Sequence, residues 1–226
     1  MSELHGTERH QVELVLFDLD GTLIDSKVDI ANSVNFTLRD LDLPQRSLAE
    51  IFSFVGDGVK RLLQLSVGET NVTQYEEALR IFREHYLAHC LDSTAFYPRI
   101  QEILSHPNER IFAIVTNKTR EYTVKIIEGL DATQHFSEIE CPRDSSELKP
   151  DPSMLLRVLT QLAVPVDRTL MVGDSTNDVR AAQAIGMKSC AVGFGYGNPA
   201  KVKPLQPDFY CENPDDLFTL LVGPSA

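Results

Sequence analysis

Four short segments of the 226-residue chain hold residues whose types and spacing could do chemistry. Asp18-Leu19-Asp20-Gly21-Thr22 sets two carboxylates one residue apart. Thr116-Asn117-Lys118 offers a hydroxyl, an amide and an ammonium in a row. Lys149 precedes a proline, and Gly173-Asp174-Ser175-Thr176-Asn177-Asp178 places two further aspartates at i and i+4. Carboxylates gathered in one place repel one another unless a cation neutralises them. Hard oxygen ligands select magnesium over softer metals. Lys149 and the Thr116 hydroxyl suit the non-bridging oxygens of a phosphoryl group. Phosphoryl transfer depends mainly on positioning and charge stabilisation, and this set supplies both.

Such residues act together only if the fold gathers them. Val12 to Phe17 is a short apolar, β-prone run and reads as a buried strand ending at Asp18. Gly21 then permits a tight turn. Ile111 to Val115, Thr169 to Val172 and Lys188 to Val192 read as strands, with a weaker one at Ile139. Helical patterns lie between them at 99–105, 119–129, 152–162, 177–185 and 214–221. Strand alternating with helix implies an α/β fold, a Rossmann-like parallel sheet with helices on both faces. In such sheets, binding residues collect beyond the carboxyl ends of the strands. Asp18, Thr116 and Asp174 each follow a strand of this kind.

The stretch 28–97 has a different texture. Tyr75, Ala78, Leu79, Phe82 and Tyr86 recur at helical steps, with Thr73 and Glu76 as a capping pair, and no strand is evident. It reads as a helical unit inserted after the first strand. The division is then a discontinuous core, 12–27 and 98–226, and an all-α insertion, 28–97.

Composition excludes several classes. The net charge of −12 argues against non-specific nucleic-acid binding. No run of about 18 apolar residues suggests a membrane span. Met1 to Gln11 is polar and has no apolar signal-peptide centre. Cys90, Cys141, Cys190 and Cys211 show no Cys-x-x-Cys spacing and read as buried free thiols in a reducing, cytoplasmic compartment. His85 and His89, at i and i+4, have no acidic companion in a zinc-protease pattern and read as ordinary histidines. Gly193-Phe194-Gly195-Tyr196-Gly197 is not a dinucleotide loop, because its third glycine comes one residue early.

In order and in content, the four segments resemble the four motifs of the haloacid dehalogenase superfamily, and the helical insertion resembles that family's small α-helical cap. The resemblance implies a magnesium-dependent phosphatase. Asp18 would be the nucleophile and would carry an aspartyl-phosphate. Asp20 would protonate the leaving oxygen and then activate water. Thr116, the Asn117 amide and Lys149 would bind the phosphoryl oxygens. Magnesium would be held by Asp18, the main-chain carbonyl of Asp20 and Asp174, with Asp178 further out. A carboxylate nucleophile divides one hard displacement into two easier ones, which agrees with the residue chemistry.

Three segments are similar to the bacterial phosphoglycolate phosphatase branch of that family: Phe17 to Ser26, Phe54 to Leu63, and Val192 to Gly197 with Gln206-Pro207-Asp208. That similarity implies 2-phosphoglycolate as substrate, with Gly56 and Arg61 of the second segment facing it. The partner would be a small phosphorylated metabolite, and the chain a monomer or homodimer. Lys118 reads as structural or peripheral. Lys27, Val28 and Asp29 depart from the proline and small residues usual in the family at that point. Pyrophosphate, a nucleotide or a sugar phosphate are alternative substrates. A phosphomutase would share the nucleophile, and a receiver-like phosphoacceptor would share only the phosphorylated aspartate.

Overall fold

The structure, a computed structural model, describes residues 12–68, 72–107 and 110–223. The polar stretch Met1 to Gln11 and the Thr73 side chain lie outside the described residues. Six strands form one parallel sheet: β1 (Leu14–Phe17), β4 (Ile111–Val115), β5 (Glu138–Glu140), β6 (Thr169–Gly173), β7 (Lys188–Val192) and β8 (Phe209–Cys211). Their order is β5-β4-β1-β6-β7-β8, so β1 is central. Every pairing in this sheet is parallel.

The residues of β1 alternate between the two faces of the sheet, as strand geometry dictates. Val15 and Phe17 join one apolar cluster, and Leu14 and Leu16 join another. The first face is covered by α5 (Ile100–Ser105), α6 (Arg120–Gly129) and α10 (Pro214–Leu221). The second is covered by α7 (Ser153–Leu162) and α8 (Thr176–Gln183). Both faces are buried, which is why β1 and β6 read as continuous apolar runs rather than alternating ones. The α/β reading of the sequence therefore holds for the sheet and its flanking helices.

Between β1 and β4 the chain builds a helical segment: α1 (Lys27–Asp40), α2 (Leu48–Phe52), α3 (Gly58–Val67) and α4 (Val72–His89). Since α4 already includes Val72, it does not begin after Thr73. The apolar cluster on the first sheet face continues into this segment through Ile30, Val34, Leu63 and Phe82. Two short strands mark its root, β2 (Ile24–Asp25) and β3 (Ala95–Phe96), paired antiparallel. The sequence shows no strand here because two residues are too few to display a period of two. Asp29, 1% exposed, clamps the root. Its carboxylate accepts from the Ser93 amide (3.0 and 2.9 Å), the Thr94 amide (2.9 Å) and the Thr94 hydroxyl (2.8 Å). The four cysteines are buried free thiols, as their spacing suggests. Between β7 and β8 lies α9 (Pro199–Val202), a single turn.

Candidate active site

The register of the sheet decides which side chains meet. Phe17 lies opposite Ile114 on one side and Val172 on the other. Asp18, Thr116 and Asp174 therefore leave three adjacent strands at nearly the same level. The Asp18 amide still donates to the Val172 carbonyl at 2.9 Å, so the backbone under this side chain is held by the sheet.

Lys149 arrives from the loop before α7 and is buried among carboxylates. Its Nζ lies 3.0 Å from Asp18 Oδ1 and 2.6 Å from Asp178 Oδ1. It also donates to the Val115 carbonyl at 2.6 Å. Burial alone would lower the ammonium's pKa, but Asp178 and then Asp18 more than offset this, and the pKa rises above 10.5. Lys149 is thus a fixed positive charge. Asp178 is held from its other side as the third residue of α8. Its Oδ2 accepts from the Ser175 amide (3.0 Å) and hydroxyl (2.6 Å), a capping box.

Asp174 is gripped by the loop after β7. Its Oδ2 accepts from the amides of Tyr196 (2.6 Å) and Gly197 (2.8 Å). This explains the glycines that mimic a dinucleotide loop. A Cβ on Gly197 would lie 1.8 Å from the Asp174 carbonyl oxygen, and one on Gly195 would lie 2.1 Å from that of Gly21. Glycine is present because the backbone must pass that close.

Asp18, Asp174 and Asp178 each offer an oxygen within 4.8 Å of the others. The cost of crowding shows in their protonation. Burial, partly relieved by Lys149 and aggravated by Asp178, pushes Asp18 up from 3.8 to about 6. Burial, then Asp178 and Asp18, push Asp174 up to about 8 despite its two amide donors. A divalent cation would remove this conflict, and an all-oxygen donor set suits magnesium. Asp178 already spends both oxygens on Lys149 and Ser175, which fits a more remote position. The Asp20 carboxylate points elsewhere, toward Lys118 and Ser26.

Asn117 and Thr116 occupy different places. The Thr116 hydroxyl accepts from the Lys118 amide at 3.2 Å and lines the cleft. The Asn117 side chain braces two loops. Its Nδ2 donates to the carbonyls of Gly56 (3.0 Å) and Lys149 (3.1 Å), and its Oδ1 accepts from the Lys149 amide at 2.7 Å.

Two groups carry more of the site than their sequence positions suggest. Lys118 is buried, with 6% of its side chain exposed, and donates to Asp20 Oδ1 (3.0 Å), Asp20 Oδ2 (2.8 Å) and the Tyr86 hydroxyl (2.7 Å). Its position directly after Thr116-Asn117 was the available signal, since the strand-end rule that selects Thr116 selects its neighbours as well. Tyr196 sends its hydroxyl to the root of the helical segment. It accepts from the amides of Ser26 (2.6 Å) and Lys27 (3.0 Å) and donates to Asp25 Oδ1 (3.0 Å). The Ser26 hydroxyl in turn donates to Asp20 Oδ1 at 2.5 Å.

A cleft opens over these groups between the sheet edge and the helical segment. Asp18, Asp20, Thr116 and Asp174 form its floor, and Gly56, Gly58 and Val59 lie on the opposite wall. Arg61 is exposed on α3 and is not among the residues that line the cleft.

A family model for haloacid dehalogenase-like hydrolases matches residues 15–192. The chain is 34% identical over 212 residues to phosphoglycolate phosphatase of Aquifex aeolicus (strain VF5), covering 93% of this chain and 97% of that one. It is also 34% identical over 217 residues to phosphoglycolate phosphatase of Chromobacterium violaceum, covering 93% and 96%. Among solved structures it superposes on a predicted phosphoglycolate phosphatase from Haemophilus somnus 129pt with a TM-score of 0.87. That pair shares 28% identity, over 92% of this chain and 97% of the other.

Proposed function

The chain belongs to the haloacid dehalogenase-like hydrolase family and is a phosphatase, and from that premise we propose that it hydrolyses 2-phosphoglycolate to glycolate and phosphate through a phosphorylated Asp18. One observation carries the mechanism. Asp18 stands at the end of the central strand with a buried lysine at 3.0 Å and two further carboxylates beside it. This arrangement supports a nucleophilic carboxylate, a fixed charge for the phosphoryl oxygens and a cation site acting together.

In this reading Asp18 attacks phosphorus and the bond from phosphorus to the ester oxygen breaks. Asp20 gives a proton to the departing oxygen. Asp20 then takes a proton from water, which attacks the same phosphorus and releases Asp18. Thr116, the Asn117 amide and Lys149 hold the non-bridging oxygens. Asp18, the Asp20 carbonyl and Asp174 would hold magnesium, with Asp178 behind them. The ion would supply charge neutralisation for the phosphoryl group.

The helical segment 28–97 acts as a cap on the core formed by 12–27 and 98–226, and its closure excludes water. Hydrogen bonds from Asn117 to Gly56 and from Asn177 to Asp57 support a docking role for the loop before α3. Gly56 and Gly58 let that loop come close to a small substrate. Arg61, off the cleft wall, has no part in this reading. The relatives named phosphoglycolate phosphatase support the substrate.

The test is phosphate release with magnesium from 2-phosphoglycolate, a nucleotide, a hexose phosphate and pyrophosphate. The highest kcat/KM should fall on 2-phosphoglycolate. Greater efficiency on any of the others sinks the substrate but leaves the mechanism. Rapid quenching during turnover should recover a phosphorylated peptide containing Asp18, and its absence from a reaction in steady state counts against the covalent step.

A further inference from the structure

We propose that Lys118 is the residue that reads the substrate's leaving group, by giving one N–H of its ammonium to a carboxylate beyond the ester oxygen. The proposal rests on the phosphatase reading of Asp18 and Asp20 and specifies how the same cleft selects its ester.

The cleft wall poses the problem. Over the floor, the helical segment presents Ile30, Val59, Leu62 and Phe82. These four side chains offer no hydrogen bond to the hydroxyls of a sugar or the edges of a base. Among the described residues that line the cleft, Lys118 is the only one with a basic side chain. An isolated buried ammonium is costly, and it persists here because Asp20 and Tyr86 hold it.

Position supports the pairing. Asp20 must reach the ester oxygen to protonate it, and Lys118 Nζ touches both oxygens of Asp20. Lys118 therefore stands beside the ester oxygen on the leaving-group side. In phosphoglycolate a single methylene separates the ester oxygen from the carboxylate. A longer or bulkier leaving group would carry its anion past this point.

Donor arithmetic allows it. An ammonium has three N–H donors. One serves the Tyr86 hydroxyl and one can serve Asp20 as a shared bond, which leaves one for the ligand. Tyr86 is 1% exposed and comes from α4, and Lys118 also lies over its ring, 4.8 Å from the centroid. The ammonium is thus aimed by the helical segment and supplied by the core. Its seat is complete only when the two are docked.

The experiment compares 2-phosphoglycolate with ethyl phosphate, which keeps the alkyl ester and its need for Asp20 but lacks the carboxylate. Lys118→Met should lower kcat/KM for phosphoglycolate on the order of 10- to 100-fold more than for ethyl phosphate, chiefly through KM, the scale of a charge-assisted hydrogen bond. Glycolate should inhibit the wild type competitively and lose most of that inhibition in the variant. Tyr86→Phe, which keeps the ring and the fold, should show the same substrate dependence at about 3- to 10-fold. Equal losses on both esters would overturn the proposal, since Lys118 would then act only by placing Asp20. A wild type that favours phosphoglycolate no more than ethyl phosphate would overturn it without touching the phosphatase reading. Failure of the wild type on every ester would instead strike that reading.

Discussion

At the carboxyl edge of the sheet, Lys149 with 1% of its side chain exposed meets Asp178 with 2%, and each has further polar partners. Across the cleft, α1, α3 and α4 present Ile30, Val59, Leu62 and Phe82. The first wall is a network in which removing one member leaves another charge buried and unpaired, at roughly 3–5 kcal/mol. The second is held by apolar burial, where a small change in shape costs about a methylene or two, roughly 1–2 kcal/mol. On the proposed function, the chemistry falls to the rigid wall and the space for the leaving group to the tolerant one. Lys118 is the exception that joins them, a core residue seated by a tyrosine of the helical segment.

The comparison is broken most directly at Asp18. Asp18→Asn keeps shape and most hydrogen bonding but removes the nucleophile. Turnover should fall on the order of 10⁴-fold or more, with the far-ultraviolet circular dichroism unchanged. A residual rate above about a tenth of wild type would end the nucleophile assignment. The next largest effect should come from Gly197→Ala, in the loop whose amides hold Asp174. Its methyl would press on the Asp174 carbonyl oxygen, 1.8 Å away, and displace the amides that hold the Asp174 carboxylate. Apparent magnesium affinity should weaken about 10- to 100-fold, as when supports of a metal ligand are removed. Titration of activity with magnesium measures it, and an unchanged midpoint would mean that Asp174 does not depend on this loop.

Away from the cleft, the helical segment does contain a buried charge, and it is structural. Asp29→Ala would strip acceptors from the Ser93 and Thr94 amides and the Thr94 hydroxyl at once. Urea unfolding should show a loss of roughly 2–4 kcal/mol. A loss below about 0.5 kcal/mol would place the root of the segment among tolerant surfaces instead.

The rigid wall was the more legible in sequence, for a physical reason. Its residues follow long buried strands, and parallel strands with both faces covered give unbroken apolar runs such as Leu14–Phe17 and Ile111–Val115. Once the strands are placed, the strand-end rule delivers Asp18, Thr116 and Asp174 without further information. The same rule applied to β7 would have delivered Tyr196 and Gly197, had the glycines been taken as signs of close approach rather than compared with a nucleotide loop. The burial of Lys118 is not legible locally, because it depends on Tyr86, some thirty residues earlier on another element. For Arg61, charge near two glycines does not reveal which side of α3 the side chain occupies. The ribbon of β2 and β3 and the brief β8 are set by tertiary pairing, not by local pattern.

A last prediction concerns where the rigid wall stores its conflict. With no cation bound, Asp18 titrates near 6 and Asp174 near 8, both above the ordinary 3.8. For an acid whose folded pKa is raised, the unfolded chain releases its proton first as pH rises. The folded state then binds more protons than the unfolded one, and stability falls with increasing pH. The window runs from about 4 to about 6 for Asp18 and from about 4 to about 8 for Asp174. Below pH 6.5 the signal is mixed, because His85, lowered by burial and by His89, contributes a slope of opposite sign. Between pH 6.5 and 8 Asp174 dominates, with a slope of at most about 1.4 kcal/mol per pH unit for one proton. Calorimetry in chelator should therefore show the melting temperature falling across that interval. Excess magnesium should flatten the fall, since a cation stabilises the ionised carboxylates. Asp174→Asn, neutral at every pH, should abolish it in chelator while leaving any contribution from the tolerant wall in place. A wild-type melting temperature that rises between pH 6.5 and 8 without metal would show that the carboxylate cluster is not where the folded state is strained.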